Sequence, residues 1–203
     1  MPTGGTSLAI DTVIDKTEQP EGIVQFFQHA HHRIEGWLME FQEALDDSRV
    51  DAPLIERAAE TLRLHMYAEE EIVFPSMQQG LRSAIADLQR QHGRLSDLMA
   101  ELLGLVRDGA DVSRVRRSFS LLNNALAAHC AAEDLGIYPD LLSTLGPAAA
   151  RALLRAADQA ELPSGWICEA RRATPRPRRI ARRSATAEKL RHRRSVGRPR
   201  PPS

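Results

Sequence analysis

The chain has few aromatic residues, few cysteines and no long apolar run, and these absences argue against several classes of protein. Aromatic residues make up only 4% of its 203 positions, and its two cysteines, Cys130 and Cys168, form no CxxC arrangement. The sequence therefore indicates neither a disulfide framework nor a cysteine zinc site. No apolar run approaches the ~20 residues that span a bilayer, and the N-terminus lacks the basic region that opens a signal peptide. We expect a cytoplasmic protein.

The formal net charge of the whole chain is zero, but the charges are unevenly distributed along it. Residues 163–203 contain 13 Lys and Arg against 2 Asp and Glu, so this end carries a charge of +11, and residues 1–162 carry −11. The basic end is rich in Pro and Arg and poor in apolar residues, which favours disorder. We therefore predict a flexible N-terminal arm over residues 1–19, a helical domain over 20–160 and an Arg/Pro-rich disordered tail over 161–203.

One stretch of the chain occurs twice. His65 to Pro75 and His129 to Pro139 align without a gap, and both read His-x-x-Ala-Glu-acid-x-x-aliphatic-aromatic-Pro. On a helix the His and the Glu of each copy lie four residues apart and share a face. An imidazole and a carboxylate side by side can bind one metal ion together, so two copies can bind two.

The spacing of apolar residues predicts an all-α protein, in which four long helices form an up-down-up-down bundle and a shorter helix follows from Pro147 to about Gln159. Each long helix has one histidine on its apolar face. Glu69 and Glu133 share that face, whereas Glu70 and Glu71 are predicted to rotate away from it. Tyr138 also lies off the face and is not included in the predicted site. The four histidines are His31, His65, His92 and His129.

These histidines are placed symmetrically about the predicted turns. The midpoints of successive pairs are Ser48, the bond between Gln78 and Gln79, and the bond between Ala110 and Asp111. With a rise of ~1.5 Å per residue, antiparallel helices then bring all four imidazoles to nearly one height. The sequence therefore predicts a single layer of polar side chains across the bundle.

A metal-free alternative exists for this layer. One histidine on an apolar face is usually a core residue with a hydrogen-bond partner. Four imidazoles and two carboxylates together are different, because each buried carboxylate costs several kcal/mol without a cation, unless it becomes protonated. A closed hydrogen-bond network could also stabilise them, but only if every partner is satisfied. We therefore favour a metal site.

The ligand set suggests which metal would bind. Four neutral nitrogens with two carboxylates suit iron, manganese or zinc rather than calcium or magnesium. Two ions with two histidines each, bridged by both glutamates, would use all six groups and leave coordination positions free. The remaining positive charge favours a bridging oxide or hydroxide. Redox-active iron fits best and manganese next, with a small diatomic or peroxidic molecule as the ligand.

The motifs resemble those of the hemerythrin-like (HHE cation-binding) domain over about residues 20–142. The similar segments are His31-His-Arg-Ile, His65-x-x-x-Glu69 with Phe74-Pro75, Gln91-His92, and His129-x-x-x-Glu133 with Tyr138-Pro139. The resemblance implies an up-down four-helix bundle with a non-haem di-iron centre. It also implies six metal ligands: His31, His65, Glu69, His92, His129 and Glu133.

The resemblance also bears on function. Oxygen-carrying hemerythrins have a fifth histidine one turn away on the third helix, where this chain has Leu88 and Ser96. The chain is more similar to four-histidine members linked to nitrosative or oxidative stress, iron handling and iron–sulfur repair. We expect it to bind iron and oxygen, nitric oxide or peroxide in stress response, sensing or iron handling. The alternatives are a di-iron enzyme for peroxide or nitric oxide breakdown, with no catalytic residue assigned, and a sensor whose basic tail binds nucleic acid.

Overall fold

A computed structural model describes residues 22–173 of the chain. The predicted N-terminal arm and residues 174–203 of the predicted tail lie outside the described residues. Within the described part the chain is helical and contains no strand, which confirms the predicted all-α class. The elements are α1 (Ile23–Asp46), α2 (Ala52–Tyr67), a π-helical segment (Ala68–Val73), α3 (Phe74–Arg107), α4 (Val112–Gly136), α5 (Tyr138–Asp158) and α6 (Glu169–Ala173).

The loop between α3 and α4 combines a glycine turn with a helix cap. Gly109 adopts a φ of 66°, in the left-handed region that favours glycine. The carboxylate of Asp111 then accepts a hydrogen bond from the backbone N–H of Arg114 at 3.1 Å and caps the start of α4. These two residues end one long helix and begin the next within four positions.

Helix α5 differs from the predicted short helix. It begins at Tyr138 rather than at Pro147, and its backbone is interrupted at Gly146, where φ is 71° and ψ is 163°. Pro147 follows directly and begins the second half of the helix. The prediction therefore matches only the half of α5 that follows the kink. A proline is favoured in the first turn of any helical stretch, so Pro147 indicated a helix start but not that another helical stretch precedes it.

The long helices pack into a bundle in which α1 and α3 each contact both α2 and α4. Most of the buried apolar side chains in the described part of the chain form two clusters, and the four histidines belong to neither. Among residues 22–173, no helix is both long enough and apolar enough to cross a membrane. The first cluster includes Leu38, Phe41, Leu62, Leu102 and Phe119, and the second includes Phe27, Phe74, Met77, Tyr138 and Leu141.

The chain stays packed beyond the predicted start of the tail at residue 161. Cys168 is buried, Ala157 and Ala160 lie in the core just before it, and α6 contacts α3. The physical reason is local composition: Trp166, Ile167 and Cys168 supply apolar surface just before the Arg/Pro-rich stretch begins. The structure therefore differs from the prediction over residues 161–173.

Two glycine substitutions test the turn and the helix separately. We expect Gly109→Ala to lower the free energy of unfolding by about 1 kcal/mol, because a Cβ is strained at this φ although no atom lies within 4 Å of it. Gly36→Ala, inside α1 and equally uncrowded, should raise that free energy by about 0.5–1 kcal/mol. Urea unfolding of both variants beside the parent chain measures the difference. Equal effects of the same sign would contradict the turn geometry.

Candidate metal centre

Four histidines from four helices meet between the two apolar clusters. His31 lies on α1, His65 on α2, His92 on α3 and His129 on α4, and all four are at most 3% exposed. Two glutamates accompany them, Glu69 from the π-helical segment and Glu133 from α4, and each is at most 1% exposed. The structure thus brings all six predicted site residues into one buried layer.

The imidazoles form two pairs. The ring centres of His31 and His65 are 4.6 Å apart, and those of His92 and His129 are 4.9 Å apart. Between the pairs the separations are longer, 6.1 Å from His65 to His129 and 6.4 Å from His31 to His129. The layer is therefore divided into two halves with two imidazoles each.

Glu133 lies between the two halves. Its Oε2 is 2.9 Å from His31 Nε2 and 3.7 Å from His65 Nε2. Its Oε1 is 3.0 Å from His129 Nε2 and 3.9 Å from His92 Nε2. One carboxylate oxygen therefore faces each histidine pair.

Glu69 also contacts both halves, but through a single oxygen. Its Oε2 lies 3.3 Å from His65 Nε2 and 3.2 Å from His92 Nε2. His65 therefore contacts both Glu69, four residues further along the chain, and Glu133 on α4. Both glutamates are placed to join the two histidine pairs.

Several atoms of this layer are buried without a hydrogen-bond partner. They are Glu69 Oε2, Glu133 Oε1, His65 Nδ1, His92 Nε2 and His129 Nε2. Leaving such a group unsatisfied costs about 1–3 kcal/mol, and more where it is charged. One ligand atom from each of His65, Glu69, His129 and Glu133 lies within 4.8 Å of the others. Lone pairs that converge on one buried point fit a metal ion.

Comparison with known proteins agrees with this geometry. The family model of the hemerythrin HHE cation-binding domain matches residues 22–160, which contain all six residues of the layer. The chain belongs to this family. It matches no curated protein and no solved structure, so the family assignment rests on the domain itself. A cation-binding domain accounts for carboxylates buried among imidazoles.

The π-helical segment changes which residues of the hemerythrin domain face inward. Its i→i+5 hydrogen bonds hold one residue more per turn than the α-helix assumed in the prediction. Val73 and Glu70 of this segment are both buried, and Glu70 is only 7% exposed. The prediction that Glu70 rotates away is therefore wrong. Its Oε1 accepts a hydrogen bond from His92 Nδ1 at 2.8 Å.

Tyr138 is a residue of the centre that the helical period did not identify. Its hydroxyl lies 3.2 Å from Glu69 Oε1 and 3.2 Å from Glu133 Oε2, placed to donate to either carboxylate. The residue lies on α5, beyond the end of α4, so the period of α4 does not apply to it. The repeated aromatic-Pro ending was the available signal.

Both aromatic residues of the repeat cover a histidine that lies outside their own copy of the motif. The ring of Phe74 stacks on His92 with centres 6.0 Å apart and planes at 12°. The ring of Tyr138 stacks on His31 with centres 6.1 Å apart and planes at 25°. Each copy of the motif thus supplies a histidine and a carboxylate to the layer and shields an imidazole from outside that copy.

Outer hydrogen bonds orient two of the imidazoles. Gln91 Oε1 accepts from His129 Nδ1 at 3.2 Å, as Glu70 Oε1 does from His92 Nδ1. A proton held on Nδ1 leaves the lone pair of Nε2 directed into the layer, as metal-binding histidines require. Sequence reasoning assigned neither acceptor a role, because each belongs to a helix other than that of its histidine.

The pKa shifts show that the carboxylates favour positive charge on His31 and His92, whereas burial lowers the pKa of His129. Burial alone would lower the pKa of His31, but hydrogen bonds with Cys130 and Glu133 raise it to about 10. Burial acts in the same direction on His92, and its carboxylate partners raise that pKa well above the usual value. Burial would raise the pKa of Glu133, yet His129, His31 and His65 hold it well below its ordinary range. An ionised Glu133 carboxylate with so little solvent around it attracts cations.

Removal of one hydroxyl tests the role of Tyr138. We expect Tyr138→Phe to lower the free energy of unfolding by about 1.5–3 kcal/mol, because two buried carboxylates lose a shared donor. Urea unfolding in the presence of a chelator separates this effect from metal binding. The matched control is Tyr67→Phe, whose ring contacts Trp166 edge to face. A loss at Tyr67 as large as that at Tyr138 would contradict the assignment.

Proposed function

We propose that this chain is a hemerythrin-like di-iron protein whose centre binds oxygen, nitric oxide or peroxide. The observation that carries the proposal is the position of Glu133, whose two oxygens face opposite histidine pairs. A single ion would need only one such pair. Two pairs joined by two carboxylates are the donor set of a two-metal site.

The six predicted ligands divide naturally between two ions. His31 and His65 would hold one, His92 and His129 the other, and Glu69 and Glu133 would bridge them. This division follows the short ring separations within each pair and the shared contacts of the two glutamates. Iron bound there would supply reversible redox chemistry and open positions for a small ligand.

The up-down-up-down arrangement of the four helices is part of this proposal. It is supported by the meeting of four histidines. Two of the midpoints between successive histidines fall in the α1–α2 and α3–α4 connections, and the third lies just before Gly80, where a φ of 99° interrupts the helical backbone of α3. Residues equidistant from a turn reach one height only when the two helices run in opposite directions. The contacts of α1 and α3 with both α2 and α4 are consistent with this order.

The surroundings of the layer favour a small ligand over a large one. Apolar clusters lie on both sides of it, and Phe74 and Tyr138 cover two of its imidazoles. These residues exclude bulk water, so the space at the ions would suit a diatomic or peroxidic molecule. The roles that we propose are stress response, sensing or iron handling. Nucleic-acid binding by the basic tail stays a prediction, since most of the tail lies outside the described residues.

Metal analysis tests the two-ion site. Protein purified from iron-replete cells should contain about two iron ions per chain and show near-ultraviolet absorption typical of a bridged pair. We expect Glu133→Gln to lose at least half of this iron and the bridged absorption, because one neutral amide cannot serve both histidine pairs. Asp134→Asn is the control, since its side chain accepts a hydrogen bond from Gln28 rather than facing the layer.

Two results would overturn the proposed centre. One is a parent chain that binds no iron or a single ion. The other is Glu133→Gln protein with the iron content and spectrum of the parent, since Glu133 is the only carboxylate in the described part of the chain with oxygens within 4 Å of an Nε2 atom of all four histidines.

Ligand binding requires its own measurement. We expect the spectrum of reduced, iron-loaded protein to change on addition of oxygen, nitric oxide or peroxide, because the six protein ligands leave positions free on two ions. Stopped-flow absorbance with each molecule measures the change, and zinc-loaded protein is the control without redox chemistry. A spectrum unaffected by all three molecules would contradict the small-ligand function and leave the metal site intact.

A further inference from the structure

We propose that residues 163–173, here called the C-terminal strap, position His92 through Glu70 and so control how tightly one half of the centre holds its ion. The strap follows the matched hemerythrin domain, which ends at residue 160. This inference rests on the proposed metal function, and adds a part of the chain that the family domain does not contain.

The chain of contacts starts at the outer nitrogen of His92. Its Nδ1 donates to Glu70 Oε1 at 2.8 Å, while its Nε2 faces Glu69 Oε2 at 3.2 Å on the inner side. The side chain of His92 is fully buried and that of Glu70 nearly so. The position of the Glu70 carboxylate therefore determines the orientation of the imidazole.

The strap holds the other oxygen of that carboxylate. Glu70 Oε2 accepts a hydrogen bond from the backbone N–H of Glu169 at 2.7 Å, and Arg172 Nη2 lies 3.6 Å from it. The two oxygens of Glu70 thus have separate partners, one in the centre and one in the strap. Any movement of the strap away from the bundle leaves Glu70 held only by the imidazole.

Further contacts fasten the strap to the helices beneath it. Trp166 Nε1 donates to Glu71 Oε1 at 3.0 Å, and its carbonyl oxygen accepts from Arg63 Nη2 at 3.1 Å. Arg171 Nε pairs with Asp97 Oδ1 at 3.2 Å. The strap is therefore attached to α2, the π-helical segment and α3 at once.

A glycine permits this close approach. A Cβ built on Gly93, the residue after His92, would lie only 2.8 Å from the Cβ of Ala170 in the strap. That distance is too short for two carbon atoms, so any other residue at position 93 would displace α6. Gly93, the neighbour of the predicted ligand His92, thus has no side chain at the point where the strap packs against α3.

The coupling runs in both directions. Loss of an outer hydrogen-bond partner of a metal-binding histidine typically weakens metal binding 10–100-fold. If the strap strengthens metal binding, bound metal must stabilise the docked strap by the same factor, since binding free energies are reciprocal. This gives two independent measurements, one at the metal and one at the strap.

The first measurement is iron release from the full-length, iron-loaded chain into excess chelator. We expect Gly93→Gln to release about half of the iron 10–100-fold faster, because one of two ions loses an oriented His92. Gly104→Gln is the matched control on the same helix, where the only atom near the new Cβ is the flexible end of Arg107 at 3.8 Å. It should release iron at the parent rate.

A double variant tests whether the strap acts through Glu70. Glu70→Gln alone should also speed release of the same half of the iron. Combined with Gly93→Gln, it should add less than threefold to the faster single variant, since both changes break one chain of contacts. Multiplicative effects of the two changes would overturn the path through Glu70.

The second measurement is amide hydrogen exchange over residues 163–173, with and without iron. We expect iron to slow exchange there about 10–100-fold in the parent chain and not in Gly93→Gln. Equal exchange in both states, with about two ions bound, would overturn the strap inference while the metal function stands. A parent chain without iron would instead overturn the proposed function, and with it this inference.

Discussion

The burial of two carboxylates in an apolar bundle is the constraint on which this protein is built. Ionised carboxylates away from water cost several kcal/mol unless positive charge or donors surround them. Here Glu69 and Glu133 are met by one imidazole from each of four helices and by the hydroxyl of Tyr138. Because every helix contributes at the same level, the pocket also sets how the helices align along one another.

The repeated motif gives this pocket two related halves. In each copy a histidine and a glutamate lie on one face near the end of a long helix, and a proline falls in the first turn of the next helix. The aromatic residue before each proline stacks on a histidine outside its own copy of the motif, Phe74 on His92 and Tyr138 on His31. The two copies of the sequence repeat thus form two similar sides of one site. Metal donors and their apolar covering come from the same short stretch.

The helical period predicts well only where the helix is regular. It placed His31, His92 and His129 on buried faces, since α1, α3 and α4 keep a constant twist around these residues. It failed after Glu69, where the wider π-helical turn leaves Glu70 buried as well. A π-helical turn depends on surrounding packing as much as on its own residues, and such turns occur often at functional sites. Composition likewise concealed the strap, whose few apolar residues stand next to an Arg-rich stretch.

The sequence alone determined which six side chains reach the layer and at what height, because face and rise along a helix are local properties. It also determined the family, through motifs that lie within single helices or at their ends. Tertiary structure alone decided that the oxygens of Glu133 face opposite histidine pairs, that Tyr138 joins both carboxylates, and that Glu70 links His92 to the strap. Those contacts join elements far apart in the chain, and packing of the whole bundle sets the distance between them.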